Sequence, residues 1–494
     1  MAYSYEVPLS YTINVSLAAQ PAGLADFNTN SIAIFTNEPA AFSENYQAYI
    51  TPNGVESDFG TNSLTYAMGN ALFTPVPNFR TGGGYLYIFP FKGVNATAGS
   101  LTTGDISANV TNFKDVTNGV LNLSIDSTVT QIEGLDFSTV QTLEDVVTIL
   151  QNQNLDVYIE VTEDNKIKFT SKRFGTDSKV TIAAKSGAES ATDLYEANYF
   201  NGATATTAEG KNASGQTLAE AVKAAQQQVY FGGVLSTQYT DDETTQTNAQ
   251  ALQSMDLTYY NDMSSLKDIA ILGKAIKAAG LGKTRSLAYS VSPREAKIAM
   301  ATYATIAKSV NYEGSATANT MNLKTLTGLV GDTGLSDSYI LSAQTNGVDI
   351  YGLTGGLSVV YSNDNNGYTD DIENQLWLKK AIEVAGFNYL RQTNTKIPQT
   401  EAGMTGLRNA YGQICEKAVR NGVAAPGTWN GAIPFGDPED FARNIEETGY
   451  YIYSAPVAQQ TQAVREKRIA PVCQIAVKFS GAFHFSEVII TIQR

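Results

Sequence analysis

The chain begins with a very regular pattern, because residues 3–17 alternate between apolar and polar side chains. Polar residues and Pro8 occupy the even positions. The apolar set on the odd positions is Tyr3, Tyr5, Val7, Leu9, Tyr11, Ile13, Val15 and Leu17. Alternation with period two predicts a β-strand, and at about 3.3 Å per residue it would reach about 50 Å, well beyond an ordinary strand. Since Pro8 cannot donate to a ladder, the segment is an edge strand or two strands hinged there.

A free-energy comparison indicates when residues 3–17 would be ordered. Burying their apolar side chains contributes about 12–24 kcal/mol, and fixing their backbone costs about 15–30 kcal/mol. Because the two terms nearly cancel, we expect a mobile arm that becomes ordered only where a partner sheet supplies hydrogen bonds. The alternative is an ordinary strand of the chain's own sheet.

Residues 483–492 predict a second terminal strand, because they are rich in β-branched and aromatic side chains. The apolar positions are Phe483, Phe485 and Ile489 on one face and Val488, Ile490 and Ile492 on the other. Apolar residues on both faces favour a strand that is buried on both. We interpret His484, the one histidine, as a packed or hydrogen-bonded strand residue rather than a catalyst.

Strands alternate with helices over residues 21–92 and again over 208–368. The strand patterns lie at 31–35, 84–89, 229–235 and 286–291, and the helix patterns lie at 63–73, at 264–279, after the capping box Thr217–Glu220 and after Ser292. Ser292 precedes Pro293 and Glu295, which is a typical helix start. The alternation indicates an α/β domain with a largely parallel sheet.

Residues 93–207 interrupt that alternation with sequence rich in Thr, Asn, Ser and Gly. Strand patterns at 157–162 and 166–171 flank a turn, and one helix is predicted over 143–151. Because the α/β pattern resumes afterwards, we interpret these residues as an inserted β-rich domain on the outer surface of whatever the protein builds.

The last part of the chain, residues 369–494, predicts two long amphipathic helices at 371–389 and 401–421, the second closed by Gly422. Strand patterns follow from Tyr450 onward, and the segment 465–468 among them is the most basic spot. The predicted fold class is therefore multidomain α/β, with an arm at 1–20, an α/β domain, its insert and a C-terminal α+β unit.

Composition excludes several kinds of function. The 33 basic and 48 acidic residues give a net charge of −15, and no basic run suits a phosphate backbone, so we expect no direct nucleic-acid contact. A single histidine excludes multi-histidine metal sites and leaves little of the commonest catalytic base.

Two further features concern the compartment. No apolar stretch approaches 18 residues and the N-terminus lacks the pattern of a signal peptide, so we expect neither membrane insertion nor secretion by that route. Cys415 and Cys473 lie far apart in the sequence, which fits buried free thiols in a reducing compartment.

Two motifs resemble ligand sites without matching them. Gly280–Thr284 ends like a P-loop, but Lys277 stands where the first glycine is needed. The stretch 363–367, followed by two aspartates at 370–371, does not have the spacing of a calcium loop. We therefore expect no cofactor, no metal site and no catalytic residue.

Several stretches carry a family resemblance through their joint order along the chain. They are Leu121–Asp126 with Gly134–Ser138, Tyr259–Ser264, Lys396–Gly403 and Phe479–His484. In this order they resemble the contractile phage tail sheath family, and within it the branch of moderately sized myophage sheath proteins. The resemblance covers nearly the full length, and none of these stretches is catalytic.

The resemblance implies a helical sheath of hexameric rings around a rigid tail tube. Residues 3–17 and 483–492 of different subunits would complete a small sheet on the inner domain, residues 369–494, of a third. It also implies baseplate and tail terminator proteins as partners, assembly in the host cytoplasm and a place in the virion tail. Contraction would drive the tube through the host envelope for genome delivery. Within the helix 401–421, Arg408, Lys417 and Arg420 are candidates for touching the tube.

Two alternatives stay open from the residues alone. One is another self-assembling tail, baseplate or flagellum-like structural subunit, for which the Asn- and Thr-rich insert is equally suitable. The other is an α/β hydrolase that uses Asp and Glu. The hydrolase is weakened by the lack of a nucleophile and base in a working context.

Overall fold

The computed structural model describes residues 27–188, 190–392, 396–431 and 434–488. The arm predicted at residues 3–17 lies outside these ranges. The part before the insert consists of β1 (Ile32–Thr36), β2 (Gln47–Tyr49), α1 (Pro52–Phe59), α2 (Leu64–Phe73) and β3 (Leu86–Pro90).

Short strands and two helices dominate the next stretch of chain. They are β4 (Gly93–Val94), β5 (Ser100–Thr102), α3 (Val110–Phe113), β6 (Gly119–Ile125), β7 (Thr128–Leu135), α4 (Leu143–Gln151), β8 (Val157–Val161), β9 (Ile167–Ser171), β10 (Val180–Ala183), β11 (Thr192–Asp193), β12 (Thr206–Ala208) and β13 (Ser214–Gly215). The helix and the hairpin predicted at 143–151, 157–162 and 166–171 are confirmed as α4, β8 and β9.

Helices and strands alternate again after β13. These elements are α5 (Leu218–Ala225), β14 (Gly233–Ser236), α6 (Asp242–Leu252), β15 (Thr258–Met263), α7 (Leu272–Ala278), β16 (Thr284–Ala288), α8 (Pro293–Ala307), α9 (Asp337–Asn346), β17 (Asp349–Thr354) and β18 (Leu357–Tyr361). Both predicted helix starts are confirmed, since the hydroxyls of Thr217 and Ser292 accept from the backbone N–H groups of Glu220 and Glu295.

Two long helices and a small sheet form the last part. The elements are α10 (Thr369–Gln392), α11 (Glu401–Asn421), α12 (Pro438–Thr448), β19 (Tyr450–Ser454), α13 (Gln462–Glu466) and β20 (Cys473–Val477). The predicted helices at 371–389 and 401–421 are confirmed, and α11 ends at Gly422, whose φ of 92° suits glycine. β19 and β20 pair antiparallel over five residues.

Eight strands form one sheet in the order β18, β17, β16, β15, β14, β1, β3, β2. The six inner strands run parallel, and β18 and β2 are antiparallel strands at the two edges. All five residues of β1 are buried, as expected for a strand covered on both faces. The predicted parallel sheet and the mixed α/β fold class are confirmed.

Separate apolar cores lie on the two faces of this sheet and within the insert. Ile34 packs with α2 and α8 on one face, and its neighbour Phe35 packs with residues of α5, α6 and α7 on the other. The insert has its own core, in which Phe113, Phe137 and Phe200 meet. Each of these parts therefore buries apolar surface of its own.

Three predicted elements are wrong in their bounds. The strand predicted at 229–235 begins only at Gly233, because Val229 still belongs to the turn that ends α5, where its N–H donates to the carbonyl of Ala225 at 3.1 Å. The strand predicted at 286–291 is β16, Thr284–Ala288. The helix predicted at 264–279 is split into a 3₁₀ turn, Leu266–Ile269, and α7.

A buried ion pair connects the large sheet to α10. Lys308, directly after α8, pairs with Glu373 in the interior, and both side chains are nearly inaccessible to solvent. Lys308 Nζ also donates to the carbonyl of Gly232 at 2.8 Å, and the Tyr260 hydroxyl donates to Glu373 at 2.6 Å. Burial lowers the pKa of Lys308, which Glu373 counteracts. The network thus joins α8, β15 and α10 through charge.

Replacing Glu373 with glutamine leaves Lys308 buried without a counter-ion. We expect Glu373→Gln to lower the free energy of unfolding by about 3–5 kcal/mol, measured by urea denaturation. The double variant Lys308→Met/Glu373→Gln is the control, and it is expected to regain most of that loss because no lone charge stays buried. Equal losses in both variants would contradict the electrostatic explanation.

Candidate assembly surfaces

The insert covers the position where α/β sheets usually bind ligands. That position lies beyond the carboxyl ends of the strands where the strand order reverses, here between β1 and β14. Phe174 of the insert stacks on Tyr239 with ring centroids 5.2 Å apart. The Gln238 side chain donates to the carbonyl of Val94 at 2.8 Å. The insert therefore packs where an enzyme of this architecture would hold its substrate.

Charged side chains fix the insert to the same edge of the sheet. Arg173, which follows β9, donates to Asp268 at 2.8 Å and also pairs with Asp242. Nearby, the Ser265 hydroxyl donates to Asp156 at 3.1 Å. The contact between Arg173 and Asp268 turns Asp268 toward the insert. It lies where the helix predicted at 264–279 is broken. Charged and polar contacts therefore hold the insert against the α/β domain.

The two ligand-like motifs serve the fold itself. Gly280 follows α7 as a turn glycine with φ of 69°. In the stretch 363–367, the carbonyls of Asn363 and Gly367 accept from the buried guanidinium of Arg285 at 3.1 and 2.8 Å. An arginine therefore occupies the loop whose composition resembles a calcium site. Within the described residues, no three acidic, cysteine or histidine side chains converge to hold a metal ion.

Cys415 is buried and Cys473 is half-buried, and both are free thiols. The expectation of two buried thiols is thus correct for Cys415 only. Burial raises the pKa of the Cys415 thiol to about 12, which leaves it protonated and unreactive. None of the helices in the described ranges combines the length and apolar character of a membrane span.

The C-terminal segment lies against the chain's own surface at two anchor points. The Ser480 hydroxyl donates to the carbonyl of Gly422 at 2.6 Å. Further along, His484 Nε2 lies 2.9 Å from the hydroxyl of Thr320, and the His484 ring meets Tyr368 edge to face at 4.5 Å. His484 is packed and hydrogen-bonded as predicted, but within the single chain it is not part of a strand.

On both sides of His484 the apolar side chains of this segment are exposed to solvent. Phe483, Phe485 and Val488 are exposed, the last two by 73% and 75%. Residues 483–488 form no strand in the single chain, because no strand among the described residues supplies them with backbone partners. The buried strand predicted at 483–492 as a contact between subunits therefore stays a prediction. Ile490 and Ile492 lie outside the described residues.

A polar cavity of about 250 Å³ lies under this segment, lined by Asp370, Thr320 and Ser480 among others. Asp370 Oδ1 is buried without a hydrogen-bond partner. Burial, reinforced by the neighbouring charge of Asp371, raises the pKa of Asp370 to about 6.

The three basic residues proposed on α11 do not form one patch. Lys417 pairs with Glu313 at 2.6 Å, and Arg420 donates to the carbonyl of the same residue at 3.4 Å. Arg408 lies nine positions earlier, on roughly the opposite side of a helix with about 3.6 residues per turn. There it lines an open groove with Asn444 and the start of β19. Lys417 and Arg420 therefore face the α/β domain, whereas Arg408 faces the small sheet.

Two family models match the chain. Residues 96–210 match the insert domain of E217 tail sheath protein gp31, and residues 369–492 match the C-terminal domain of proteins like this gp31. No curated protein matches the chain. The matched ranges include the insert core described above and the unit formed by α10 to β20.

Solved structures give weaker likenesses. The sheath tail protein of Desulfitobacterium hafniense is 11% identical over 94% of this chain and 100% of its own, with a TM-score of 0.41. The flagellar cap protein FliD of Bdellovibrio bacteriovorus is 16% identical over 25% of this chain and 70% of its own, with a TM-score of 0.18. At these values neither structure adds to the assignment.

The two domain matches define a structural component of a virion tail. Both matched domains are those of the phage tail sheath family, whose members are non-enzymatic structural proteins that self-assemble into a tail sheath. This family takes the place of the alternatives considered from the sequence, the α/β hydrolase and the other tail or flagellum-like subunits.

Asp370 predicts a pH dependence with a definite sign. Its pKa in the folded protein, about 6, lies above the usual value near 3.9 of an unfolded chain. Its contribution to stability is therefore complete below about pH 4 and is lost as the pH rises through 6. We expect Asp370→Asn to raise the free energy of unfolding by about 1–3 kcal/mol at pH 7.5 and to change it little at pH 4. Urea denaturation at both pH values measures this, and equal effects at both would contradict it.

The single histidine gives a direct measurement of the C-terminal anchor. Burial lowers the pKa of His484, so an NMR titration of its imidazole should give a value below the usual 6.5. Thr320→Val with Tyr368→Leu removes both contacts, and we expect the pKa to return toward 6.5. Asn346→Ala, remote from this anchor, is the control. A wild-type pKa at the ordinary value would contradict the docked position.

Proposed function

We propose that the chain is the subunit of a contractile sheath, which polymerises around a tail tube and contracts to drive that tube through the host envelope for genome delivery. In this proposal the subunit assembles in the host cytoplasm on the tube and baseplate, and a terminator protein closes the sheath. Contraction uses free energy stored during assembly and needs no nucleotide. The two matches to sheath domains support the polymer, and contraction and delivery go beyond them.

The observation that carries the proposal is the exposed C-terminal segment. Phe483, Phe485 and Val488 together present apolar surface that the single chain leaves in water, and such surface marks interaction sites. β19 and β20 pair only with each other among the described strands, so each has an edge without a strand partner. An exposed strand-forming segment and an unpaired sheet edge are complementary when they belong to different subunits.

Residues 3–17 are the second strand donor in this proposal. Their alternating pattern suits addition to a sheet edge, where one face packs inward and the other meets solvent. With residues 483–492 they would extend the small β19–β20 sheet of a neighbouring subunit on both sides. Main-chain pairing of this kind tolerates rigid-body rotation of the attached domains, because the linkers between strand and domain absorb the motion.

The tube would lie against the unit formed by α10 to β20. Arg408, Lys417 and Arg420 are the proposed contacts on α11. Lys417 pairs with Glu313 and Arg420 donates to the carbonyl of the same residue, whereas the Arg408 guanidinium donates to a hydroxyl of its own helix, that of Thr405, at 3.2 Å. A tube contact through α11 therefore depends most on Arg408.

Removing residues 1–17 tests the proposed strand exchange. We expect folded subunits that no longer form long cylinders in negative-stain electron microscopy, because each has lost its donor strand. A matched pair of full-length variants distinguishes the loss of strand pairing from the loss of chain length. Leu9→Asp/Ile13→Asp, on the apolar face, should abolish cylinders, whereas Ser10→Asp/Asn14→Asp, on the polar face, should preserve them. Cylinders formed by the truncated chain would refute the proposal.

A further inference from the structure

The C-terminal unit differs in charge from the rest of the chain. Residues 369–494 carry 13 basic and 13 acidic side chains, whereas residues 1–368 carry 20 basic and 35 acidic ones. The unit is therefore neutral within an acidic protein. Its charges are also unevenly distributed, because an unpaired basic segment and an unpaired acidic helix face lie in different places.

The basic segment comprises residues 465–468 at the end of α13. Lys467 and Arg468 are exposed and Arg465 is partly so, and the described residues offer none of them an ion pair. Two exposed apolar side chains, Ile469 and Val472, follow directly, with 53% and 77% of their surface accessible. A basic cluster beside uncovered apolar surface is typical of an interaction site.

The acidic surface is one face of α12. Phe441 and Ile445 bury the opposite face of this amphipathic helix. Glu439, Glu446 and Glu447 are exposed and, within the described part of the chain, form no ion pair, while Arg443 among them is paired with Asp440. Three carboxylates thus point into solvent from a helix whose position is fixed by its apolar side.

The two surfaces lie on different parts of the unit. The basic segment adjoins the start of α11, since the Gln399 side chain donates to the carbonyl of Arg465 at 2.9 Å. α12 lies beside the same helix, where Asn444 and Arg408 line one groove. Among the described residues no ion pair joins the basic segment to the acidic face of α12. Both charged surfaces are therefore available to a partner.

We propose that residues 465–468 of one subunit dock on the acidic face of α12 in a second copy of the chain. Because the two surfaces are different, each subunit can offer one to each of two neighbours, so the contact can repeat head-to-tail from subunit to subunit, as a helical sheath requires. The inference rests on the proposed sheath and adds to it a side-chain contact between neighbours. Ile469 and Val472 lie at the rim of this contact and lose water on docking.

Charge complementarity within one chain is the reason for choosing a second copy as the partner. Charge pairs across an interface set register and partner choice more than raw affinity. Such a contact weakens as salt rises, because it joins exposed charges. A subunit can therefore break this contact and form a different one when the sheath lattice rearranges, while strand pairing keeps the subunits connected. An acidic tube protein is the competing partner, and the experiment separates the two.

Charge exchange between the surfaces tests the inference. The basic variant is Arg465→Glu/Lys467→Glu/Arg468→Glu and the acidic variant is Glu439→Lys/Glu446→Lys/Glu447→Lys. We expect each alone to raise the concentration needed for self-association at least about tenfold, measured by sedimentation velocity and electron microscopy. Both sets of changes in one chain should restore association, because the complementary pairs are re-formed with reversed sign.

The control variant Lys211→Glu/Lys223→Glu/Lys274→Glu makes the same change in net charge at exposed lysines elsewhere, and it should associate like the wild type. Failure of the combined variant to recover would overturn the inference. So would a basic variant that self-associates normally but no longer decorates purified tubes, since that identifies the tube as partner. Oligomers that are lost in each single-surface variant and restored in the combined variant, but that never form cylinders, would support this contact and refute the proposed sheath.

Discussion

The ion pair between Lys308 and Glu373 is the interaction on which the arrangement of the chain depends. It lies where α8, the parallel sheet and α10 meet, and it excludes water from both charges. Breaking such a pair costs far more than never having it, since one lone charge remains in the interior. The pair therefore specifies where α10 begins relative to the sheet, and α10 in turn carries α11 and everything packed on it.

The same principle recurs at the other joint. Arg173 brings a guanidinium from the insert to two aspartates at the carboxyl edge of the sheet. Both joints use buried charge because an apolar contact between domains tolerates sliding, whereas a charge pair has one satisfied geometry. Rigid domains of this kind can transmit force. Three kinds of surface stay uncovered: the C-terminal segment, the edges of the small sheet, and the two charged surfaces at residues 465–468 and on α12. All of them belong to the unit formed by α10 to β20.

Local chemistry made part of the fold predictable from the sequence. The caps at Thr217 and Ser292 and the glycine after α11 act within one turn of chain, so their elements appear where the pattern indicates. β15 was missed because Tyr259 and Asn261 lie among turn residues and are buried only by strands far away in sequence. The helix predicted at 264–279 breaks where Asp268 meets Arg173, a partner nearly a hundred residues distant. Long-range contacts of this type leave no local signal.

In the C-terminal segment, by contrast, the sequence pattern predicts more burial than the single chain shows. The strand pattern of residues 483–492 predicts a buried β-strand, yet Phe483 and Phe485 are exposed in the single chain. Both observations follow if the pattern was selected for a partner surface, because the sequence then encodes burial that one chain alone does not supply. His484 fits the same explanation: it holds the segment through one hydroxyl and one ring, contacts that a full strand ladder in a neighbour would outweigh. A pattern that the isolated fold leaves unsatisfied is thus itself evidence for assembly.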